Sequence, residues 1–152
     1  MIITMTPIGT VKNIRKAVED DNWGDIVSII ELVSSFQDEA LYQIEEFSHA
    51  EILYYFHLVD ENMIETGARH PRNNMDWPKA GIFAQRGKNR PNRLGATIVK
   101  VIKRKGNQLF VQGLDAIDGT PVLDIKPVIK EFLPREEIRQ PVWATELMKN
   151  YW

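Results

Sequence analysis

The stretch ATIVKVIKRKGNQLFVQGLD, residues 96–115, decides the fold. Its two runs rich in β-branched and apolar residues, 96–104 and 108–115, lie on either side of a Gly106-Asn107 pair. Gly and Asn tolerate the backbone angles that a tight turn needs, so the stretch predicts a β-hairpin. We therefore expect a chain built mainly from strands.

Further strands are expected on both sides of this hairpin. The runs with strand composition are 2–12, 26–33, 49–59, 81–85 and 122–129. A helix is predicted over residues 36–47, where Phe36, Ala40, Leu41, Ile44 and Phe47 fall near helical spacing behind Ser35, a candidate N-cap.

The order of these elements predicts a mainly β fold, a small β-barrel with one or two appended helices. We assign residues 1–135 to the barrel domain and 136–152 to a C-terminal tail. In that tail, Trp143, Leu147 and Tyr151 lie at helical spacing and predict a second helix.

Composition indicates an ordinary globular protein. The 152 residues suit one domain and include no Cys, which excludes disulfides and thiolate catalysis and favours a cytoplasmic location. The first residues do not resemble a signal peptide, and no run approaches the roughly 20 apolar residues that span a bilayer. We expect no association with a membrane.

Charge is segregated along the chain. Nine of the 19 Lys and Arg residues lie between Trp77 and Leu114, a window without Asp or Glu, which leaves ten against 21 acidic residues elsewhere. A basic surface on an acidic body concentrates an anionic ligand. For the lysines and arginine at 100–105, protection of a strand edge against aggregation is an equal alternative.

Several familiar catalytic signatures are absent from the sequence. There is no phosphate-binding loop of the Walker type, no dinucleotide fingerprint, no HExxH and no GxSxG. His49, His57 and His70 are too far apart for a compact metal motif, so we predict no metal. What remains is two turn-rich segments, GKNRPNRLG at 87–95 and DGTPVLDIKP at 118–127, which suit either a nucleotide-like ligand or structural turns.

Four ordered motifs make the chain similar to a known family. They are FSHAEILYYFH (47–57), HPRNN (70–74), GIFAQRGKNRPNRLG (81–95) and LDAIDGTPVLDIKP (114–127). Together they resemble the TsaA-like, or TrmO, family of S-adenosylmethionine-dependent methyltransferases, and the resemblance runs from about Pro7 to Phe132. It implies a β-barrel methyltransferase without a Rossmann sheet, acting as a homodimer on the exocyclic amine of threonylcarbamoyladenosine in tRNA.

The resemblance also implies a set of site residues. Those expected to bind S-adenosylmethionine are His57, Leu58, Arg86, Arg90, Pro91, Asn92, Leu94, Gly95, Asp118, Gly119, Thr120 and Pro121. Asp124 and His57 are the candidate catalytic bases, although an Asp124–Lys126 structural pair is an equal alternative. From the charge pattern we expect contacts with RNA phosphates at Arg72, Lys88, Arg93, Lys103, Arg104 and Lys105, although a surface-loop role is an equal alternative for Arg72.

One segment departs from the family pattern. Where tested members have a Pro-Arg-Gln motif that contributes to the cofactor site, this chain has VEDDNWGDIVSIIEL at 18–32, and the usual Gln after His57 is Leu58. The chain therefore resembles a shorter branch of the family. Its methyl acceptor is either that of the tested members or a different one. The acidic residues around Trp23 suit either a cationic group or a solvated loop. A small-molecule acceptor and a non-catalytic nucleotide- or RNA-binding barrel stay as alternative functions.

Overall fold

A computed structural model describes all residues, 1–152. Eight strands are present: β1 (Gly9–Lys12), β2 (Val27–Leu32), β3 (His49–Tyr55), β4 (Ala68–Arg69), β5 (Ala80–Gly81), β6 (Leu94–Lys105), β7 (Gln108–Gln112) and β8 (Pro121–Pro127). Six of them close an antiparallel barrel in the order β1-β2-β7-β6-β3-β8, while β4 and β5 pair separately. The helix α1 spans Val142–Leu147, and no helix is long and apolar enough to cross a membrane. The predicted mainly β barrel is confirmed.

The core fills the barrel because alternate strand residues point inwards. In β3, Ala50, Ile52 and Tyr54 are buried while their neighbours are partly or fully exposed. The same period of two places Ile30 and Leu109 in the core from β2 and β7. Side chains, not a channel, therefore occupy the interior.

The predicted hairpin is confirmed, and the predicted helix is wrong. Lys105 pairs with Gln108 across a turn in which Gly106 has a φ of +56°. Over 36–47 the chain instead makes two short 3-10 turns, Asp38–Leu41 and Ile44–Glu46, separated by Gln43 at a φ of 66°. A left-handed residue cannot continue a right-handed helix.

The other boundaries also differ from the prediction. The 3-10 segment has Gln37 rather than Ser35 at its N-cap, without a capping side chain. Only Gly9–Lys12 of the first predicted strand and Ala80–Gly81 near the fourth form ladders. In the tail, α1 ends before Tyr151. Local composition predicted these segments, but ladder partners determine where each strand begins and ends.

Antiparallel pairing sorts the connections to two ends of the barrel. Lys12 pairs with Ile29, so β1 ends near the start of β2. Tyr55 pairs with Leu94, so β3 ends at the start of β6. The connections 13–26, 56–93 and 113–120 therefore lie at one end, which we name the loop end. The Gly106-Asn107 turn and residues 33–48 lie at the opposite end, the turn end.

Candidate functional site

The loop end gathers the residues predicted for the cofactor and three of those predicted for RNA. They come from two connections, 56–93 and 113–120, and from the adjoining starts of β6 and β8: His57, Leu58, Arg72, Arg86, Lys88, Arg90, Pro91, Asn92, Arg93, Leu94, Gly95, Asp118, Gly119, Thr120 and Pro121. Antiparallel closure brings them to one end, although the sequence separates them by more than 60 positions. This clustering makes the loop end the candidate site.

The remaining predicted RNA contacts lie elsewhere. Lys103, Arg104 and Lys105 end β6 beside the Gly106-Asn107 turn, at the turn end. Arg104 pairs with Glu45 at 3.1 Å, and this contact holds the pKa of the Glu45 carboxyl below its usual value. The structure thus separates these three cations from the candidate site, and their contact with RNA stays a prediction.

Asp124, one of the two candidate bases, lies within β8 and pairs locally. Its carboxylate accepts the backbone N–H of Ile125 at 2.9 Å and forms an ion pair with Lys126. The hydrogen bond that Lys126 donates to Asp124 raises the pKa of the Lys126 ammonium. His57, the other candidate, is partly exposed just after β3 at the loop end. Of the two, His57 has the less engaged side chain.

Internal hydrogen bonds shape the loop before β6. Arg90 Nη1 donates to the Gln85 carbonyl at 2.8 Å, and Arg93 Nη1 donates to the Val59 carbonyl at 2.8 Å. Arg93 also lies 4.9 Å from the centre of the Tyr55 ring. These two guanidinium groups hold the loop, whereas Lys88 makes no ion pair and Arg86 donates only to the Ala96 carbonyl.

Asp118 joins two connections of the loop end. One carboxylate oxygen accepts the Asn13 N–H at 3.1 Å and the other contacts Lys16 Nζ at 2.8 Å. These contacts, the Lys16 hydrogen bond foremost, lower the pKa of the Asp118 carboxyl. Gly119 follows at a φ of +83°, and a Cβ built there would meet nothing within 4 Å. Contacts with Asn13 and Lys16 therefore fix the turn at Asp118, while the space beside Gly119 is open.

The acidic loop between β1 and β2 binds cations of its own chain. Arg15 lies 4.7 Å from the centre of the Trp23 ring and pairs with Glu19. Arg72 pairs with Asp21 at 2.8 Å. Trp23 itself is buried. The cations that contact this loop are thus side chains of the same chain, and binding of a cationic ligand by the loop stays a prediction.

Sequence reasoning missed a carboxylate at the centre of the loop end. Asp115 accepts the Tyr54 hydroxyl at 2.9 Å, the Thr97 hydroxyl on the same oxygen, and the Tyr151 hydroxyl on the other. Burial and the Asp115 charge raise the pKa of both tyrosines. The only sequence signal was its place in LDAIDGTP, three residues before Asp118.

Gly95 connects this cluster with the predicted cofactor residues. A Cβ at Gly95 would lie 2.4 Å from the Tyr54 ring, so the ring packs directly against the backbone of β6. The carbonyl of the next residue, Ala96, accepts a hydrogen bond from the Arg86 guanidinium. At the loop end, Gly95 therefore contacts Tyr54, and Tyr54 in turn contacts Asp115.

Comparison with known proteins identifies the family. Residues 19–132 match the family described as the tRNA-methyltransferase O N-terminal domain. The chain belongs to this family. Crystal structures of TrmO from Pseudomonas aeruginosa superpose with TM-scores of 0.73 and 0.76 at 28% and 27% identity, covering 91% and 94% of the chain and 62% of each TrmO chain. The family and the barrel predicted from the motifs are confirmed.

Relatives in the TrmO family differ in length and in name. A probable S-adenosyl-L-methionine-binding protein of Pyrococcus abyssi is 36% identical, over 91% of the chain and 75% of the relative. A human tRNA (adenine(37)-N6)-methyltransferase is 36% identical over 74% of the chain, which spans 25% of that protein. The chain thus spans only part of the TrmO proteins it matches.

Proposed function

We propose that this TrmO-family chain is an S-adenosylmethionine-dependent methyltransferase that acts on the exocyclic amine of threonylcarbamoyladenosine in tRNA. The observation that carries the proposal is the convergence of the family's cofactor residues at the loop end of a closed barrel. Relatives named as S-adenosyl-L-methionine-binding proteins and as tRNA methyltransferases support the cofactor and the substrate class.

The residues at the loop end fit this cofactor. Arg86 offers donors to a carboxylate, while the exposed Gly119 leaves the Asp118–Pro121 turn open to a close ligand. Leu94, partly exposed at the start of β6, adds an apolar side chain, and the buried Gly95 beside it lies under the Tyr54 ring. Bound S-adenosylmethionine would supply an electrophilic methyl group.

The protein's contribution to methyl transfer is alignment and exclusion of water. Residues fixed by hydrogen bonds position reacting groups at little entropic cost, and the loop held by Arg90 and Arg93 meets that condition. An amine that attacks a methyl group loses a proton, which His57 accepts. Asp124 is the second candidate base, but its carboxylate is already paired with Lys126.

Calorimetry with S-adenosylmethionine tests the site. We expect Arg86→Ala to weaken binding by roughly tenfold or more, because a hydrogen bond between charged groups contributes about 1.5–3 kcal/mol. Arg104→Ala is the matched control, since it removes the same side chain at the turn end. Unchanged affinity in Arg86→Ala, or equal losses in both variants, contradicts the site assignment.

Two further measurements test the acceptor. Loss of the gene should remove the methyl group from threonylcarbamoyladenosine in cellular tRNA, measured by mass spectrometry of nucleosides. Binding of tRNA should weaken as salt rises, and Lys88→Ala should reduce that salt dependence more than Lys103→Ala. An unchanged nucleoside profile contradicts the tRNA acceptor and favours a small-molecule acceptor. If tRNA also binds in a salt-dependent way and no methyl transfer is found, a non-catalytic barrel is favoured.

We also propose that the chain forms a homodimer, as the family resemblance implies. Exposed apolar side chains beside β8 support this, namely Ile98, Ile129, Phe132 and Leu133. Several of them line a groove of about 410 Å³ beside β8. Sedimentation equilibrium should give a dimer mass, and Ile98→Glu should give a monomer; a monomeric wild type refutes the proposal.

A further inference from the structure

The C-terminal segment returns along the outside of the barrel to the candidate site. Strand β8 ends at Pro127, at the turn end, because β3 begins opposite it. Residues 129–142 that follow are all exposed. The last residues nevertheless contact the loop end, so the segment 128–152, which we name the strap, runs the length of the barrel.

Backbone and side-chain hydrogen bonds dock the strap at the loop end. The N–H groups of Asn22 and Trp23 donate to the carbonyls of Asn150 and Tyr151 at 2.9 and 2.8 Å. Further back, Trp77 Nε1 donates to the Glu146 carboxylate at 2.6 Å. The strap therefore pairs with the acidic loop 18–26, the segment in which this chain departs from the Pro-Arg-Gln pattern.

Gly24 permits this docking. A Cβ built on Gly24 would lie 2.7 Å from the backbone carbonyl carbon of Trp152. Backbone atoms cannot move aside as a flexible side chain can, so the loop and the strap fit together only because Gly24 has no side chain.

Tyr151 links the strap to the hydrogen-bonded cluster around Asp115. Its hydroxyl donates to Asp115, whose other oxygen holds Tyr54 and Thr97. The guanidinium of Arg72 lies 6.0 Å from the centre of the Tyr151 ring. Since Tyr54 covers Gly95, the hydroxyl of Tyr151 is linked through one carboxylate and one ring to the start of β6.

We infer that Tyr151 is a positioning residue of the S-adenosylmethionine site: its hydroxyl fixes Asp115, and its backbone holds the acidic loop at the loop end. This inference rests on the proposed function. The strap docks on the segment at which the sequence departs from the family pattern. The Tyr151 hydroxyl engages the Asp115 oxygen that Tyr54 and Thr97 leave free.

Calorimetric titration of the full chain with S-adenosylmethionine and S-adenosylhomocysteine tests the inference. We expect Tyr151→Phe to weaken both affinities by about fivefold to tenfold, the range of one net hydrogen bond. Tyr42→Phe is the matched control, because Tyr42 is exposed at the turn end and its hydroxyl makes no hydrogen bond. Its affinities should equal those of the wild type.

A double-mutant cycle separates positioning from general stability. If the hydroxyl of Tyr151 acts through Asp115, Tyr151→Phe combined with Asp115→Asn should bind no more weakly than Asp115→Asn alone. Gly24→Ala, which touches neither group, should displace the strap and reproduce the loss seen in Tyr151→Phe.

Each outcome decides between the two proposals. Wild type that binds neither ligand overturns the proposed function and the inference together. Wild type that binds, with Tyr151→Phe binding equally well or more tightly, overturns the inference alone. A lower melting temperature in Tyr151→Phe with unchanged affinity also overturns it, because that pattern belongs to a structural role.

Discussion

Gly95→Ala tests the contact on which the geometry of the loop end depends. The added Cβ would lie 2.4, 2.5 and 2.9 Å from three carbons of the Tyr54 ring. Nonbonded carbons ordinarily approach to about 3.5–4.0 Å, so the ring must move by roughly 1 Å. Tyr54 is only 2% exposed and packs edge-on against Phe56, with ring centres 5.4 Å apart, which leaves it little room.

Two costs add up in this substitution. Overpacking a filled core costs about 1–3 kcal/mol. Moving the ring also strains or breaks the hydrogen bond from the Tyr54 hydroxyl to Asp115, 2.9 Å long, and bonds to charged groups contribute about 1.5–3 kcal/mol. We expect a loss of about 3 kcal/mol in the free energy of unfolding, which lowers the melting temperature of a chain this size by about 6–12 °C.

Urea denaturation followed by circular dichroism measures the loss. Gly81→Ala is the matched control, because Gly81 also lies in a strand, has a negative φ and has nothing within 4 Å of a built Cβ. It should change stability by no more than about 0.5 kcal/mol. If Gly95→Ala is as stable as Gly81→Ala, the packing of Tyr54 on β6 and the cluster built on it are refuted.

Two other predictions concern positions outside this contact. Gln43→Gly should raise the free energy of unfolding by about 0.5–1 kcal/mol, measured in urea against Gln43→Ala, because Gly adopts the left-handed conformation of Gln43 without strain. A loss of about 1 kcal/mol would instead support the helix predicted over 36–47. For Asp118, the folded-state pKa lies below the ordinary 3.8, so its contacts stabilise the protein above that pH and are lost as the pH falls through the folded-state value. The stability difference between wild type and Asp118→Asn should therefore be present near neutral pH and shrink in acid; a difference that grows below about pH 4 contradicts the ion pair with Lys16.

The sequence was most informative where a pattern acts over a few residues. The turn at Gly106-Asn107 and the strands β2 and β3 were predictable, since strand composition and the tolerance of Gly for positive φ are local properties. The residues predicted for the cofactor followed from motifs, and the structure brings them to one end. Their role in binding stays a prediction until ligand affinity is measured.

The helix predicted over 36–47 illustrates where local reasoning fails. Leu41 and Ile44 are buried as helical spacing required, but they reach the core from two 3-10 turns. Both side chains reach the core with Gln43 between them in a left-handed conformation, which a continuous helix would not allow. Spacing predicts which residues face a core, yet several backbones satisfy the same spacing.

The sequence alone determined a barrel-forming pattern, a segregated charge and the motifs of a family. Only the tertiary structure decided that Lys103, Arg104 and Lys105 lie away from Arg86 and Lys88, because the 12-residue strand β6 runs from the loop end to the turn end between them. It also decided that Tyr151 meets Asp115, 36 positions earlier, across the acidic loop. Contacts between distant segments depend on ladder register and on the path of the strap around the barrel, and neither is written in a local pattern.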